Sequence, residues 1–257
     1  MKLRFANPAQ LIDLNFVAGT SYIREEGGAI RFGALTRHAE IEQSAVAAKI
    51  PILHDCAAGI ADVQVRNRGT IGGSLAEADP SGDWAAVLGT LAVDLRCLGP
   101  AGERTVSIGD FVKDAYTTAL GHDDLVSEVS VKIPPANSGG AYLAFKRAAP
   151  VYPTASAAVQ LTMAGEVCKD IAIALGCVGL TAIRVTDAEV ALRGKTLDAK
   201  AIAAAANAAR AAAEPQADMR GSAEYKRELV GALVKLAIGI ALRRARGEHV
   251  EVSHIYA

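Results

Sequence analysis

Between residues 21 and 60 the apolar positions change from short strand-like runs to a helical spacing. Residues 21–24 and 29–32 flank Glu25-Glu26-Gly27-Gly28, which predicts a β-hairpin turned at the glycines. Thr36 is then expected to cap a helix, because Ile41, Ala45 and Ala48 recur at helical intervals. Pro51 opens PILHDCAAGIA and suits the first turn of a second helix, where its absent N–H is not needed. Residues 84–91 read as a buried helix, and residues 91–97 with 104–107 as a hairpin turned at Gly99-Pro100-Ala101-Gly102.

Past Pro134-Pro135-Ala136-Asn137-Ser138-Gly139-Gly140, which has the strongest linker composition in the chain, the pattern changes. Residues 141–147, 155–163 and 167–178 predict strands, the first two alternating as in a half-buried antiparallel sheet. Helices come next: an alanine-rich one over 198–214, stopped by Pro215, and a long one over 222–246 with Leu229, Leu233, Leu236 and Ile240 on one face. Strands followed by helices predict an α+β fold and not a doubly wound parallel sheet. The boundary between two units is placed at 1–136 and 137–257, the second a small α+β domain of three antiparallel strands and helices.

Composition excludes several classes. With 51% hydrophobic residues in 257, the chain can bury a substantial core. Twenty-seven Lys+Arg against 28 Asp+Glu leave a net charge of -1, which argues against a nucleic-acid partner. Cys56, Cys97, Cys168 and Cys177 show no C-x-x-C spacing. Buried free thiols, no metal held by this chain alone and a cytoplasmic setting are therefore expected. The apolar run 229–242 is interrupted by Lys235 and is shorter than the ~20 residues of a membrane-spanning helix, so no span is predicted. The start, Met1-Lys2-Leu3-Arg4-Phe5, leads to Asn7-Pro8 and not to a signal-like apolar run. Arg243-Arg244-Ala245-Arg246 is read as cations complementing a helix C-terminus. The absence of G-x-S-x-G and H-E-x-x-H removes support for hydrolase and metalloprotease readings.

The segment RNRGTIGGSLAEADPSGDW, residues 66–84, is too rich in special residues for a connector. A loop Thr70-Ile71-Gly72-Gly73-Ser74 lets a ligand approach the backbone, and glycines at positive φ turn successive N–H groups toward an anion such as pyrophosphate. Asp83 is placed to accept hydrogen bonds from a sugar or polyol hydroxyl. A tight turn capping a helix that begins near Leu75 fits the same residues. Neither G-x-x-x-x-G-K-[ST] nor G-x-G-x-x-G occurs.

The segment resembles the second FAD-binding motif of the flavoprotein (medium) subunits of molybdenum hydroxylases, the group of carbon monoxide dehydrogenase and xanthine dehydrogenase. Arg31-Phe32-Gly33-Ala34-Leu35-Thr36-Arg37-His38-Ala39-Glu40, Thr117-Thr118-Ala119-Leu120 with residues 125–134, and Met219-Arg220-Gly221-Ser222-Ala223-Glu224-Tyr225-Lys226-Arg227 resemble further stretches of the same subunits, in the same order. The resemblance implies a PCMH-type FAD-binding domain over 1–136 and a C-terminal domain of the carbon monoxide dehydrogenase flavoprotein type over 137–257. It implies that Thr70, Ile71, Gly72, Gly73 and Ser74 bind the FAD pyrophosphate and that Asp83 lies against the ribityl chain. By the same resemblance Tyr152 stacks on the isoalloxazine and Lys146 lies near it. His38, read from its place at a helix start, is either a donor to a ligand oxygen or a helix cap. Residues 1–8 resemble the stretch directly after the family's first FAD motif, A-G-G-x-S-L-L-P. That motif is therefore expected to be absent, through an internal start of a longer protein or through shortening with weakened cofactor binding.

The implied function is electron transfer within an oxidoreductase complex. A molybdenum cofactor in a large subunit and [2Fe-2S] clusters in a small subunit are the implied partners, and FAD here passes electrons to an external acceptor. The alternative is a scaffold subunit that docks onto such a complex without holding FAD.

Overall fold

The computed structural model describes residues 8–252 and a short strand at 255–256. Residues 1–7, which carry most of the likeness to the stretch after the first motif, lie outside them. The hairpin pairs Ile23–Glu26 (β1) with Ala29–Gly33 (β2). Five short α-helices come next, α1 (His38–Glu42), α2 (Pro51–Gly59), α3 (Val63–Arg66), α4 (Ile71–Glu77) and α5 (Trp84–Leu88), with a 3-10 turn at Ala47–Lys49 between the first two. They lead to β3 (Val93–Gly99), β4 (Gly102–Ser107), α6 (Ile108–Phe111), β5 (Val112–Asp114), β6 (Thr117–Thr118) and β7 (Leu125–Lys132). The second half holds β8 (Ser138–Lys146), β9 (Ala155–Ala164), β10 (Val167–Gly176), β11 (Ile183–Arg184), α7 (Thr186–Leu192), α8 (Ala199–Ala212), α9 (Ala223–Ala245) and β12 (Ile255–Tyr256).

Two five-stranded sheets result. The first is antiparallel in the order β1-β2-β7-β3-β4, and the second runs β11-β10-β9-β8-β12. The three long strands of the second sheet are antiparallel, as expected, and β12 adds a parallel edge to β8. The fold is α+β. Pro51 occupies the first turn of α2, and Asp198 and Ser222 cap α8 and α9 by accepting from the amides of Ala201 and Tyr225.

Several expectations need correction. Thr36 is not the cap of α1. Arg37 takes that position, with its amide donating to the Glu40 carboxylate at 2.6 Å, while the buried Thr36 hydroxyl bonds to the backbone of Tyr22. The second sheet is not half-buried, because both of its faces are covered. Tyr142, Ala144 and Ala158 enter a core built with α2 and α5, whereas Ala141, Leu143, Ala157 and Val159 enter one built with α8 and α9. The alternation seen in the sequence therefore separates two apolar cores and not core from solvent.

The glycines of the expected linker belong to β8. A Cβ on Gly139 would stand 2.0 Å from the Ala241 carbonyl oxygen, so this residue lets α9 lie directly on the sheet. The face of α9 is also rotated from the expected one. Val230, Val234, Ala237, Ile238 and Ala241 are buried with Leu233, while Leu236 is half exposed, since small residues are what permit close packing on β8 and β9. Arg243 and Arg244 lie in the last turn of α9, as expected, but the Arg244 side chain turns inward to a buried ion pair with Asp55. Among the described residues no helix is long and apolar enough to cross a membrane.

Candidate functional site

A cavity of about 620 Å³ opens between the short helices of the first half and the loop 147–154 that follows β8. Ligand sites commonly span about 300–1,000 Å³, and this one draws walls from both halves of the chain. Thr70, Gly73, Ser74, Asp83, Lys146 and Tyr152 line it together.

The glycine segment is built differently from the expected cradle. Thr70 caps α4, its hydroxyl oxygen accepting from the Gly73 amide at 3.1 Å, so the helix starts at Ile71 and not near Leu75. Gly72 and Gly73 are helical and not at positive φ. The four amides from Ile71 to Ser74 are already paired, with Thr36 O, Ala34 O, the Thr70 hydroxyl and Thr70 O respectively. No backbone donor there is left for an anion. Glycine is required for closeness instead: a Cβ on Gly72 would stand 2.6 Å from the Ala34 Cβ, and one on Gly73 would stand 2.7 Å from the Thr70 hydroxyl. Ile71 is fully buried in the core, so it and Gly72 form the packing side of the motif. Thr70, Gly73 and Ser74 form its cavity side.

Asp83 opens α5 from a buried position, where Tyr142 donates its phenolic O–H to Oδ1 at 2.5 Å. Burial pushes the Asp83 carboxyl up, against the opposing pull of Lys146 and of the Tyr142 hydrogen bond. Lys146, at the end of β8, is buried, and its ammonium donates to the Gly59 carbonyl that closes α2. Tyr152 is 48% exposed at the cavity mouth. Partial burial, with Asp79 and Glu77 nearby, pushes its phenol up.

His38 is a wall residue of the cavity as well as the first residue of α1. Its Nδ1 faces the indole N–H of Trp84 at 3.2 Å, so the neutral ring carries its proton on Nε2. Burial, with Arg37 and Arg66 adding to it, lowers its pKa from 6.5 to about 4. Sequence reasoning did not single out Arg37 or Arg68, the cavity's cations beside Lys146, nor the carboxylates of Glu77 and Asp79. Arg37 lies in a stretch already quoted for its likeness, and Arg68, Glu77 and Asp79 lie in the glycine segment. Their role as walls depends on how α1, α3 and α4 meet.

The residues fit a dinucleotide carrying a diphosphate, a polyol and a flat ring. Guanidinium groups and hydroxyls supply donors for phosphate oxygens, Asp83 supplies an acceptor, and Tyr152 supplies an aromatic face.

Family models agree. The model of the FAD binding domain in molybdopterin dehydrogenase matches residues 1–136, and that of the CO dehydrogenase flavoprotein C-terminal domain matches residues 140–240. The carbon monoxide dehydrogenase medium chain of Afipia carboxidovorans is 38% identical over 96% of this chain and 86% of its own length. The nicotine 6-hydroxylase medium subunit of Paenarthrobacter nicotinovorans is 36% identical over 93% of this chain and 84% of its own. The structure of carbon monoxide dehydrogenase from Hydrogenophaga pseudoflava superposes with a TM-score of 0.92 at 40% identity, covering 95% of this chain and 85% of that one. With both halves matched and the cavity formed where they meet, the chain belongs to the FAD-binding medium subunits of the molybdenum hydroxylase family.

Proposed function

We propose that the cavity is the FAD site and that this chain is the electron-transfer subunit between [2Fe-2S] clusters of a small partner and an external acceptor. A large partner would carry the molybdenum cofactor. The observation that carries the reading is the convergence of Thr70, Gly73, Ser74, Asp83, Lys146 and Tyr152 on one cavity, although they come from three separate stretches of the chain. When bound, FAD supplies one- and two-electron redox chemistry. The residues of this chain bind and orient. Thr70 and Ser74 would donate hydroxyl protons to the diphosphate, with Arg37 and Arg68 adding charge-assisted donors. Asp83 would accept from the ribityl hydroxyls, its orientation held by Tyr142. Lys146 would place a fixed cation near the ring, and Tyr152 would cover one face of it and exclude water. Ile71 and Gly72 would contribute by packing alone.

We assign residues 1–136 to the cofactor-binding unit and residues 137–257 to the unit that supplies Lys146 and Tyr152. A reducing cytoplasm is consistent with four free cysteines, three of them buried. The test is the flavin content of the native complex, read from its visible absorbance. The wild type should carry one flavin per medium subunit, and Gly73→Val should lose it. A complex with intact stoichiometry but no flavin in the wild type would support the scaffold reading instead.

A further inference from the structure

Arg220, in the turn before α9, reaches both of the loops that form one end of the FAD site. Arg220 Nη1 donates to Ser81 Oγ at 3.2 Å and to the Pro153 carbonyl at 3.3 Å. Ser81 lies between Asp79 and Asp83, and Pro153 comes directly after Tyr152. One guanidinium nitrogen thus joins the acidic loop of the cavity to the loop that carries its aromatic residue.

The guanidinium is itself held. Asp218 accepts from Arg220 Nε at 3.1 Å and from the Arg220 amide at 2.8 Å, and the buried Lys226 ammonium of α9 stands 2.9 Å from the same carboxylate. Burial pushes the Asp218 carboxyl up, but the hydrogen bonds from Lys226 and Arg220 outweigh it and bring it down to about 2. Lys226 also donates to the Gln216 carbonyl, and Arg147 Nη1 donates to the Met219 carbonyl at 2.9 Å. The turn is therefore anchored to α9 on one side and to the start of the 147–154 loop on the other.

We propose that Arg220 is a positioning residue that locks the 147–154 loop to the 79–83 loop and so sets where the Tyr152 ring stands over the flavin site. The loop needs such a lock. Val151 and Tyr152 are 40% and 48% exposed, so little burial of their own holds them, and ordering the loop only on binding would cost affinity. Arginine suits the task because its planar fork donates in several directions at once, to Asp218 through Nε and to both loops through Nη1. An ammonium can balance the charge of Asp218 but cannot reproduce that fork.

This inference rests on the FAD reading, and its first test does not require flavin. In the full chain, amide hydrogen exchange across residues 79–83 and 147–154 should be about tenfold faster in Arg220→Gln, with α9 unchanged. Arg220→Lys retains the charge beside Asp218 and should show the same pattern more weakly, which covers the case that the glutamine variant does not fold. Unchanged exchange in the two loops of a folded variant would overturn the proposal. In the native complex, Arg220→Gln should leave flavin content intact yet shift the flavin reduction potential and visible circular dichroism. The same substitution made in a Tyr152→Ala background should shift neither further. Equal shifts in both backgrounds would show that Arg220 does not act through Tyr152. A wild type without flavin would refute the site reading, while the exchange result would still decide the lock.

Discussion

Asp55 and Arg244, 189 residues apart in sequence, form a two-pronged ion pair in which Nη1 meets Oδ2 at 2.6 Å and Nη2 meets Oδ1 at 3.0 Å. The side chains are only 2% and 8% exposed. Asp55 also accepts from the Tyr142 amide, and Arg244 also donates to the carbonyls of Gly140 and Val250. The pair thus ties α2 to β8 and to the end of α9, and each of its two side chains has partners beyond the other.

Removing one partner should leave the other buried and unpaired. Arg244→Met is expected to destabilise the chain by about 3–5 kcal/mol, read as a lowered midpoint in equilibrium denaturation. A change below about 1 kcal/mol would mean that water reaches Asp55.

His38 should make stability depend on pH in the mildly acidic range. Its pKa is about 4 in the fold against 6.5 ordinarily, so between those values the unfolded chain binds more protons than the native one. The contribution of neutral His38 is complete above pH 6.5 and is lost as the pH falls through about 4, on the order of 3 kcal/mol in all. The chain has one tryptophan, Trp84, and its indole N–H needs Nδ1 of His38 as acceptor, so its fluorescence should change over the same interval. His38→Gln should flatten the pH dependence; an unchanged profile in that variant would assign the slope to other groups.

The adjacent glycines of the motif should separate stability from binding. Gly72→Ala drives a methyl into Ala34 and its carbonyl, and an overpacking cost of about 1–3 kcal/mol is expected as a lower melting temperature. Gly73→Ala displaces only the Thr70 hydroxyl, whose capping bond to α4 is worth about 1 kcal/mol, so it should melt above Gly72→Ala yet retain less flavin. The reverse pattern would put Gly72, and not Gly73, on the cavity.

Asp83 should act as an acceptor more than as a charge. Asp83→Ala is expected to weaken FAD binding by about 1–3 kcal/mol in a flavin titration. Asp83→Asn keeps an oxygen for Tyr142 or the ligand, relieves a buried charge, and should cost less. Equal losses in the two variants would indicate that the negative charge itself is needed.

The two hairpins of the first half, the starts of α2, α5, α8 and α9, the α+β class and the residues that carry the family likeness are legible in the chain, because they depend on local events. Proline in a first turn, Asp198 and Ser222 at N-caps, and alternation along a strand need only neighbouring residues. Even the glycine motif can be located, and its local composition allows the capping role that Thr70 takes. What tertiary contact alone decided was the purpose of those patterns. Alternation along β8 and β9 does not say whether the second face meets water or a second core, and here it meets α2 and α5. Gly72 is glycine because Ala34, far earlier in the chain, occupies the space of a side chain, which no local pattern records. Arg244 reads as a helix-end cation because its carboxylate lies 189 residues away, and the stretch that contains Arg220 shows a likeness but not its linking role, because Ser81 and Pro153 reach it only through the folded chain. Short-range propensity is written in the order of residues; long-range pairing depends on which surfaces the packing brings together.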